Sequence, residues 1–210
     1  MDSGHLELII GPMFSGKTNL IINRYNDIIH ILKSMDDRYT ISDLEINDQL
    51  LAINYDKDTR YGENCIISHD GHSIPCLSIN KLSDIPFTQL ESALYIIINE
   101  AQFFKNLKEW VINLIDYKQK HIILCGLDSD FKREKFGDLL DLIPHANTLT
   151  KLNGKCSSCC HPSIYTHRIS SELEQEVIGT NNYIPLCRNC FIQKTNNIID
   201  KSLTNMNLNL

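Results

Sequence analysis

The chain lacks the features that mark several large classes of protein. Its 210 residues carry no basic excess, since 20 lysines and arginines stand against 26 aspartates and glutamates, for a net charge of −6. A protein that binds a nucleic-acid backbone normally has the opposite balance, so we expect no nucleic-acid partner. No apolar run approaches the ~20 residues that a membrane span needs. The N-terminus has no basic segment before its short apolar run, so we expect neither a membrane anchor nor a signal peptide.

The chain has eight cysteines, which is many for a protein expected in the cytoplasm. A disulfide framework is rare in such a reducing compartment, so we do not expect the cysteines to form one. We interpret Cys65, Cys76 and Cys125, which lie in or beside apolar segments, as buried small apolar residues.

Four of the remaining cysteines form two Cys-x-x-Cys pairs, with 27 residues between the pairs. Two such pairs supply four thiolates for a tetrahedral Zn²⁺ site, and a site with no open position is structural. Cys160 and His161 adjoin the first pair and are alternative ligands, although adjacent residues rarely both reach one ion. The expected zinc ligands are Cys156, Cys159, Cys187 and Cys190.

An eight-residue stretch near the N-terminus, "GPMFSGKT", matches the phosphate-binding pattern G-x-x-x-x-G-K-[ST]. It comprises Gly11, Pro12, Met13, Phe14, Ser15, Gly16, Lys17 and Thr18. The glycines let the backbone N–H groups turn toward phosphate oxygens, the lysine reaches the β and γ phosphates, and the threonine hydroxyl binds Mg²⁺. A chance glycine-rich turn is the alternative, but it does not explain the strand before the motif or the helix after it. The motif predicts nucleotide binding.

The order of the apolar segments predicts an α/β fold. Continuous apolar strands, among them "LELII", "LYIII" and "HIILCGL", alternate with segments of helical periodicity at residues 18–33 and 107–115. Strands without polar alternation are typical of a parallel sheet that is covered on both faces. Together with the phosphate loop, this order predicts a P-loop, RecA-like domain with a mostly parallel sheet flanked by helices.

Changes of composition along the chain predict its organisation. We expect a nucleotide-binding kinase domain at residues 1–150, a small zinc-binding domain at 151–194 and a flexible Asn-rich tail at 195–210. The polar, acidic residues 34–48 are interpreted as a surface insertion. Residues 64–79 contain short β-like pieces broken by turn residues, which is typical of a hairpin.

The strand "LYIII" runs directly into Asn99 and Glu100. P-loop proteins commonly place an acidic residue at the end of a neighbouring strand, where it holds the metal's water shell, and Asn99 stands at that place. Glu100 is either a solvated residue at a strand end or a general base that removes a proton from an incoming hydroxyl. The adjacent phosphate loop favours the general base.

Many separated motifs then occur in the order found in one family. They include "GPMFSGKT", "YDKDTRYG", "SHD", "EAQFF", "GLDSDF", "FGDLLDLIPHA", "CSSC", "YTHR" and "CRNCF". From Gly4 to about Lys194 the chain resembles the zinc-containing type II thymidine kinases of cellular and viral origin. The resemblance implies a homotetrameric transferase in the cytoplasm that uses ATP and Mg²⁺ to convert thymidine, and as a further candidate deoxyuridine, to its 5′-monophosphate for DNA synthesis.

The resemblance also implies roles for individual residues. Glu100 matches the catalytic base, Arg60 matches an arginine near the transferred phosphoryl group, and Asp58 helps to organise the same loop. A long loop of the zinc domain, here residues 170–183, closes over the nucleoside like a lasso and reads the base through main-chain groups. The positions that enclose the thymine and the sugar correspond to Met13, Phe103, Leu127, Phe131, Thr166 and Tyr183.

Two departures from the family pattern affect these expectations. Asn99 replaces the usual aspartate, so we expect weaker Mg²⁺ retention rather than inactivity. The other departure is the insertion at 34–48, together with a slightly shorter closing loop. The insertion could alter a contact between subunits, which weakens the expectation of a tetramer. Two different functions remain as alternatives: a P-loop ATPase whose zinc module binds nucleic acid, and a catalytically inactive nucleotide-binding regulator, which only Asn99 suggests.

Overall fold

The computed structural model describes residues 3–36, 48–56, 64–170, 172, 174–175 and 182–196. Its helices are α1 (Lys17–Asp36), α2 (Phe87–Ser92) and α3 (Leu107–Asp116), and residues 188–196 are also helical. Short 3-10 turns lie at Leu82–Asp84, Ala101–Phe103 and Leu139–His145. The strands are β1 (His5–Ile10), β2 (Leu50–Tyr55), β3 (Cys65–Ile67), β4 (Ser73–Pro75), β5 (Leu77–Ile79), β6 (Tyr95–Ile98), β7 (His121–Gly126), β8 (Thr148–Lys151), β9 (Gly154–Lys155), β10 (Pro162–Ser163), β11 (Tyr165–Arg168) and β12 (Tyr183–Leu186).

Six of these strands form a central sheet in the order β5-β2-β6-β7-β1-β8. Every pairing in this sheet is parallel. The predicted α/β fold with a mostly parallel sheet is therefore confirmed. Because parallel strands end at the same edge, the carboxyl ends of β1, β2, β6 and β7 meet there, which is where open α/β sheets bind their ligands.

Apolar residues cover both faces of the sheet. On β1, Leu8 belongs to the core beneath α3, whereas its neighbour Ile9 belongs to the core beneath α1. On β6, Ile96 and Ile97 divide between the two cores in the same way. Side chains alternate between the faces of a strand, so a strand buried on both faces reads as an unbroken apolar run.

The observed elements differ from the predicted ones in two places. Helix α1 begins at Lys17 and ends at Asp36, so the first residues of the expected insertion are helical, while residues 37–47 lie outside the described part. The predicted hairpin is present as β3 and β4. The next piece, β5, instead joins the central sheet beside β2. A three-residue strand is too short to show its partner by periodicity.

Short antiparallel pairs make up the C-terminal part of the described chain. Strand β9 pairs with β10, and β11 pairs with β12, so that Thr166 lies opposite Pro185. A separate small core holds Cys156, Leu186 and Phe191. Of the expected tail at 195–210, residues 195 and 196 belong to the last helix, and the rest lies outside the described residues.

The three cysteines expected to be buried differ among themselves. Cys125 is buried, and burial raises the pKa of its thiol to about 12. Cys65, the first residue of β3, and Cys76, which follows β4, are only half-buried, so the prediction was wrong for these two. None of the described helices is long and apolar enough to cross a lipid bilayer.

Candidate active site

The phosphate loop joins the end of β1 to the start of α1. Lys17 is largely buried, and its Nζ donates hydrogen bonds to the carbonyl oxygens of Gly11 and Pro12, at 3.1 and 2.8 Å. A Cβ atom at Gly11 would lie 2.5 Å from the carbonyl oxygen of Leu152, so only glycine allows this approach. Gly16 has a φ of 85°, in the left-handed region that favours glycine. The two glycines of the motif are therefore required by the shape of the loop.

The loop also offers polar groups suited to an anion. Within the described part of the chain, the buried hydroxyl of Ser15 has no hydrogen-bond partner. Buried polar groups are almost always paired, so an orphaned hydroxyl at this position fits a loop that receives a ligand. The first backbone N–H groups of α1 face the same region and favour negative charge. The residues of the motif fit a bound nucleoside triphosphate.

The end of β6 brings Asn99 and Glu100 to the same edge of the sheet. Asn99 is 5% exposed, and its Nδ2 donates a 2.9 Å hydrogen bond to Oδ1 of Asn54 at the end of β2. Glu100 has a φ of 52°, in the left-handed region. For a residue other than glycine this conformation costs about 1–3 kcal/mol and is found mostly at functional sites.

One cavity of about 280 Å³ connects the phosphate loop with the end of β6. Of the predicted site residues it brings together six loop residues, Asn99, Glu100 and Leu127. Its full lining is Met13, Phe14, Ser15, Gly16, Lys17, Thr18, Asn19, Asn54, Cys65, Ile66, Ile67, His69, Asp70, Asn99, Glu100 and Leu127. Gly11 and Pro12 also belong to the loop but are not part of this lining, and their carbonyl oxygens accept the hydrogen bonds from Lys17.

Sequence reasoning missed several residues of this lining. Asn54 follows the apolar run of β2, so its place at the carboxyl edge of the sheet was a usable signal. His69 and Asp70 belong to the "SHD" motif of the β3–β4 turn, for which no role was assigned. Asn19 donates a 2.7 Å hydrogen bond to Asp70 and so ties this turn to α1.

Of the residues expected to enclose the nucleoside, Met13 and Leu127 line the cavity, whereas Phe103, Phe131, Thr166 and Tyr183 are not part of its lining. Phe103 stacks on Tyr55, with ring centroids 4.8 Å apart, and meets Phe136 edge-on at 5.1 Å. The hydroxyl of Thr166 accepts a 2.9 Å hydrogen bond from the backbone N–H of Met13. The C-terminal part of the chain therefore contacts the phosphate loop directly.

Arg168 links Phe131 and Tyr183 to the segment that follows β11. Its guanidinium lies 3.7 Å from the centroid of the Phe131 ring, and Arg168 is 5% exposed. It donates hydrogen bonds to the Tyr183 hydroxyl and to the carbonyl oxygens of Glu172, Glu174 and Gln175. Sequence reasoning did not select Arg168, although a basic residue in a short strand was a signal. Asp58 and Arg60 lie outside the described residues.

The four predicted zinc ligands converge, with their sulfur atoms within 4.8 Å of one another. The Sγ atoms of Cys159 and Cys187 are 3.5 Å apart, close to the ~3.8 Å between ligands of a tetrahedral Zn–thiolate site. Cys160 is exposed and stands outside this cluster, as does His161.

The electrostatics of the cluster also fit a cation. Burial disfavours ionisation of the Cys156 thiol, but backbone hydrogen bonds, first from Cys187, outweigh it and lower its pKa to about 6. Hydrogen bonding with Cys159 and Cys187 raises the pKa of Cys190 to about 12. Four thiolates this close together repel one another, so a full set of four needs a positive ion among them.

The comparisons with known proteins agree with this geometry. A family model described as "Thymidine kinase" matches residues 4–191. The chain belongs to the thymidine kinase family. It is 34% identical over 194 residues to a thymidine kinase of rice, covering 90% of this chain and 66% of that protein. It is 36% identical over 192 residues to a thymidine kinase of sheeppox virus, covering 91% and 98%. A cytosolic thymidine kinase of chicken is 33% identical over 192 residues, covering 91% and 78%.

Membership in the thymidine kinase family makes the chain a kinase, and the family implies thymidine and ATP as substrates with Mg²⁺ as the metal of catalysis. The match begins at Gly4 and ends at Phe191, so it includes both the phosphate loop and all four clustered cysteines. The chain spans about two thirds of the rice thymidine kinase and nearly all of the viral one.

Proposed function

We propose that the chain transfers the γ-phosphoryl group of ATP to the 5′-hydroxyl of thymidine. The Glu100 carboxylate accepts the hydroxyl proton, the 5′ oxygen forms a bond to the γ phosphorus, and the bond to the β–γ bridging oxygen breaks. ADP and thymidine 5′-monophosphate are the products. The observation that best supports this reaction is the shared cavity, in which a carboxylate and a phosphate loop face the same space.

We assign the triphosphate to the loop from Gly11 to Thr18. Backbone N–H groups of this loop and the start of α1 would receive the phosphate oxygens, and Lys17 would neutralise the β and γ phosphates. Its Nζ now donates to two carbonyls of the loop, a short distance from where a phosphate would lie. Thr18 would hold Mg²⁺, and Asn99 would contact its water shell; the ion would supply positive charge to the phosphates.

The nucleoside end of the site rests on aromatic and loop residues. Flat bases pack well on aromatic rings, and Phe103 presents a ring that is already fixed by stacking on Tyr55. We propose that Met13, Leu127, Phe131, Thr166 and Tyr183 enclose the thymidine with Phe103. Asp58 and Arg60 are proposed from the family resemblance alone, with the arginine stabilising charge on the transferred group.

The remaining parts of the proposal concern organisation. Residues 1–150 would form the kinase domain and residues 151–194 a zinc domain that carries the closing loop, with a tail from 195. A structural Zn²⁺ on the four cysteines would give this loop a rigid anchor. The homotetramer and the cytoplasmic location follow the family resemblance, and the name of the cytosolic chicken relative supports the location.

The test is phosphoryl transfer from Mg-ATP to thymidine, deoxyuridine and deoxycytidine, with Glu100→Gln as the matched variant. We expect thymidine to be phosphorylated, deoxycytidine not to be, and the variant to lose activity by at least 100-fold, because general-base catalysis contributes about 10²–10⁴. ATP hydrolysis that needs nucleic acid and no nucleoside would overturn the proposal in favour of an ATPase. Binding of ATP without any turnover would favour a regulator.

Zinc is tested separately by counting metal per chain in the purified protein. We expect one Zn²⁺ per chain, and we expect Cys190→Ala to lose both the metal and thermal stability. Cys160→Ala is the matched control, since Cys160 adjoins the cluster but lies outside it. Loss of zinc in the control instead would show that the ligand set is wrong.

A further inference from the structure

We propose that Gln102 is a positioning residue for the reaction, one that holds the Glu100 carboxylate in the orientation needed to accept the nucleoside proton. Gln102 lies in the 3-10 turn after β6 and is 2% exposed. Its Nε2 donates a 2.7 Å hydrogen bond to Oε2 of Glu100. Its Oε1 accepts a 3.0 Å hydrogen bond from the backbone N–H of Leu127. This inference rests on the proposed role of Glu100.

The two hydrogen bonds determine which way the Gln102 amide faces. A backbone N–H can only donate, so the amide oxygen must point toward Leu127. The amide nitrogen is then left facing Glu100, to which it can only donate. A hydrogen bond that is donated to a carboxylate favours its ionised form, which is the form that a general base needs. Gln102 therefore orients Glu100 and also keeps it ready to take a proton.

The surroundings of Gln102 are shaped to hold it. A Cβ atom at Gly126, the last residue of β7, would lie 2.3 Å from Oε1 of Gln102. A Cβ atom at Gly137 would lie 2.1 Å from the carbonyl oxygen of Gln102, and Gly137 itself has a φ of 61°. Two glycines, one at the end of β7 and one in the loop after it, thus make room for the side chain and the backbone of one glutamine.

The hydrogen bond from Leu127 links Gln102 to the lining of the cavity. Leu127 lines the same cavity as Glu100. Gln102 therefore connects Glu100, at the end of β6, to Leu127, which follows β7 and lines the cavity. A shift of about 1 Å in a positioned catalytic group costs up to about 100-fold in rate. We therefore expect changes at Gln102 to lower kcat more than they raise KM.

The experiment compares Gln102→Met, which keeps the length of the side chain but cannot donate to Glu100, with wild type. We expect kcat to fall 10- to 100-fold, KM for thymidine and for ATP to change less than threefold, and the acidic limb of the kcat profile to move to higher pH. Gln89→Met, the same change on the exposed surface of α2, is the control and should match wild type.

Gln102→Glu provides a second test of the positioning role. This test can still be made if the methionine variant fails to fold. The carboxyl group that this substitution introduces can, when it is protonated, donate to Glu100 as the amide does, because two adjacent carboxyl groups share one proton. We expect this variant to be impaired at pH 8 and to recover as the pH falls, which gives it a lower pH optimum than wild type. A role in packing alone would not restore activity as the pH falls.

The outcomes separate this inference from the proposed function. If Glu100→Gln is inactive while Gln102→Met keeps the kcat and the pH profile of wild type, the positioning role is wrong and the proposed function stands. An unchanged pH optimum in Gln102→Glu would also overturn it. If Glu100→Gln is as active as wild type, the proposed general base is wrong, whatever Gln102 does.

Discussion

The backbone N–H of Met13 donates a 2.9 Å hydrogen bond to the hydroxyl of Thr166, although the two residues are 153 positions apart. Met13 belongs to the phosphate loop and lines the cavity. Thr166 is 2% exposed and lies on β11, next to the strand that leads to the second cysteine pair. One partly buried hydrogen bond therefore connects the nucleotide end of the site to the part of the chain that carries the cysteines.

The first prediction concerns this hydrogen bond. Thr166→Val keeps the shape of the side chain but removes the acceptor of a partly buried N–H, which costs about 1 kcal/mol, the lower end of the range for a buried group. We expect KM for ATP and for thymidine both to rise, by roughly fivefold or more, and the melting temperature to fall. Thr166→Ser keeps the hydroxyl and should remain close to wild type. Equal kinetics in the two variants would contradict the prediction.

The second prediction concerns the asparagine at the end of β6. Asn99→Asp places a carboxylate in the cavity, and Asn54 can turn its amide to donate to it. The carboxylate would also accept hydrogen bonds from water on the Mg²⁺ shell, and a hydrogen bond to a charged group is stronger than a neutral one by about 1 kcal/mol. We therefore expect the Mg²⁺ concentration for half-maximal activity to fall about fivefold.

Asn54→Asp is the matched control for Asn99→Asp, because it adds the same charge to the other member of the hydrogen-bonded pair. We expect a smaller effect on the Mg²⁺ requirement, because residue 99 occupies the position where P-loop proteins usually carry the metal-associated acid. An unchanged Mg²⁺ requirement in Asn99→Asp would show that Asn99 has no part in metal retention. Titration of the purified protein with Mg-ADP gives a readout independent of turnover.

The parts of the fold that the sequence predicted are those coded locally. The strand ending at Ile98 is a continuous apolar run, and the phosphate loop is a motif whose spacing is set by the backbone conformation that it needs. The four cysteines were recognisable because metal geometry restricts their spacing. Each strand, the loop and each cysteine pair can be recognised from residues that are close together in the sequence.

The relationships that the sequence did not reveal join distant residues. Gln102 meets Leu127, and Met13 meets Thr166, only because the sheet and the β11–β12 pair bring separate loops together. Strand β5 has three residues, too few to show which strand it would join. Such contacts depend on tertiary packing, which hydrophobic periodicity does not encode.

The third prediction concerns the buried guanidinium of Arg168. Arg168→Lys keeps the charge, but an ammonium on a single nitrogen cannot reach carbonyls that a planar fork reaches together. We expect the carbonyl oxygens of Glu172, Glu174 and Gln175 to lose their hydrogen bonds to β11, and the Phe131 ring to lose the planar guanidinium that packs against it. KM for thymidine should rise about tenfold, while KM for ATP changes little.

Arg188→Lys is the control for Arg168→Lys. Arg188 lies 5.3 Å from the centroid of the Tyr165 ring and is exposed, so its exchange should leave both KM values near those of wild type. Equal effects on the KM values for thymidine and ATP in Arg168→Lys would point to a general loss of structure. Melting temperatures of the two variants distinguish that outcome.

The fourth prediction concerns acid stability and His167, which lies on β11 and is 8% exposed. Its ring meets Phe191 edge-on at 5.3 Å. Burial, and then the charge of Lys194, lower the pKa of His167 below its ordinary value of 6.5. Between its folded-state pKa and pH 6.5, His167 is protonated in the unfolded chain but neutral in the folded chain. The free energy of unfolding therefore falls as the pH drops through this range.

We expect the free energy of unfolding to decrease less between pH 7.5 and pH 5.5 in His167→Gln than in wild type, because the variant has no imidazole to protonate when it unfolds. Denaturant unfolding of the zinc-loaded protein at the two pH values measures this difference. Protonation of the cysteine ligands is common to both proteins and cancels in the comparison. His145→Gln, at an exposed position, should lose as much stability as wild type. An equal or larger loss in His167→Gln would mean that another group is responsible for the acid sensitivity of the β11–β12 region.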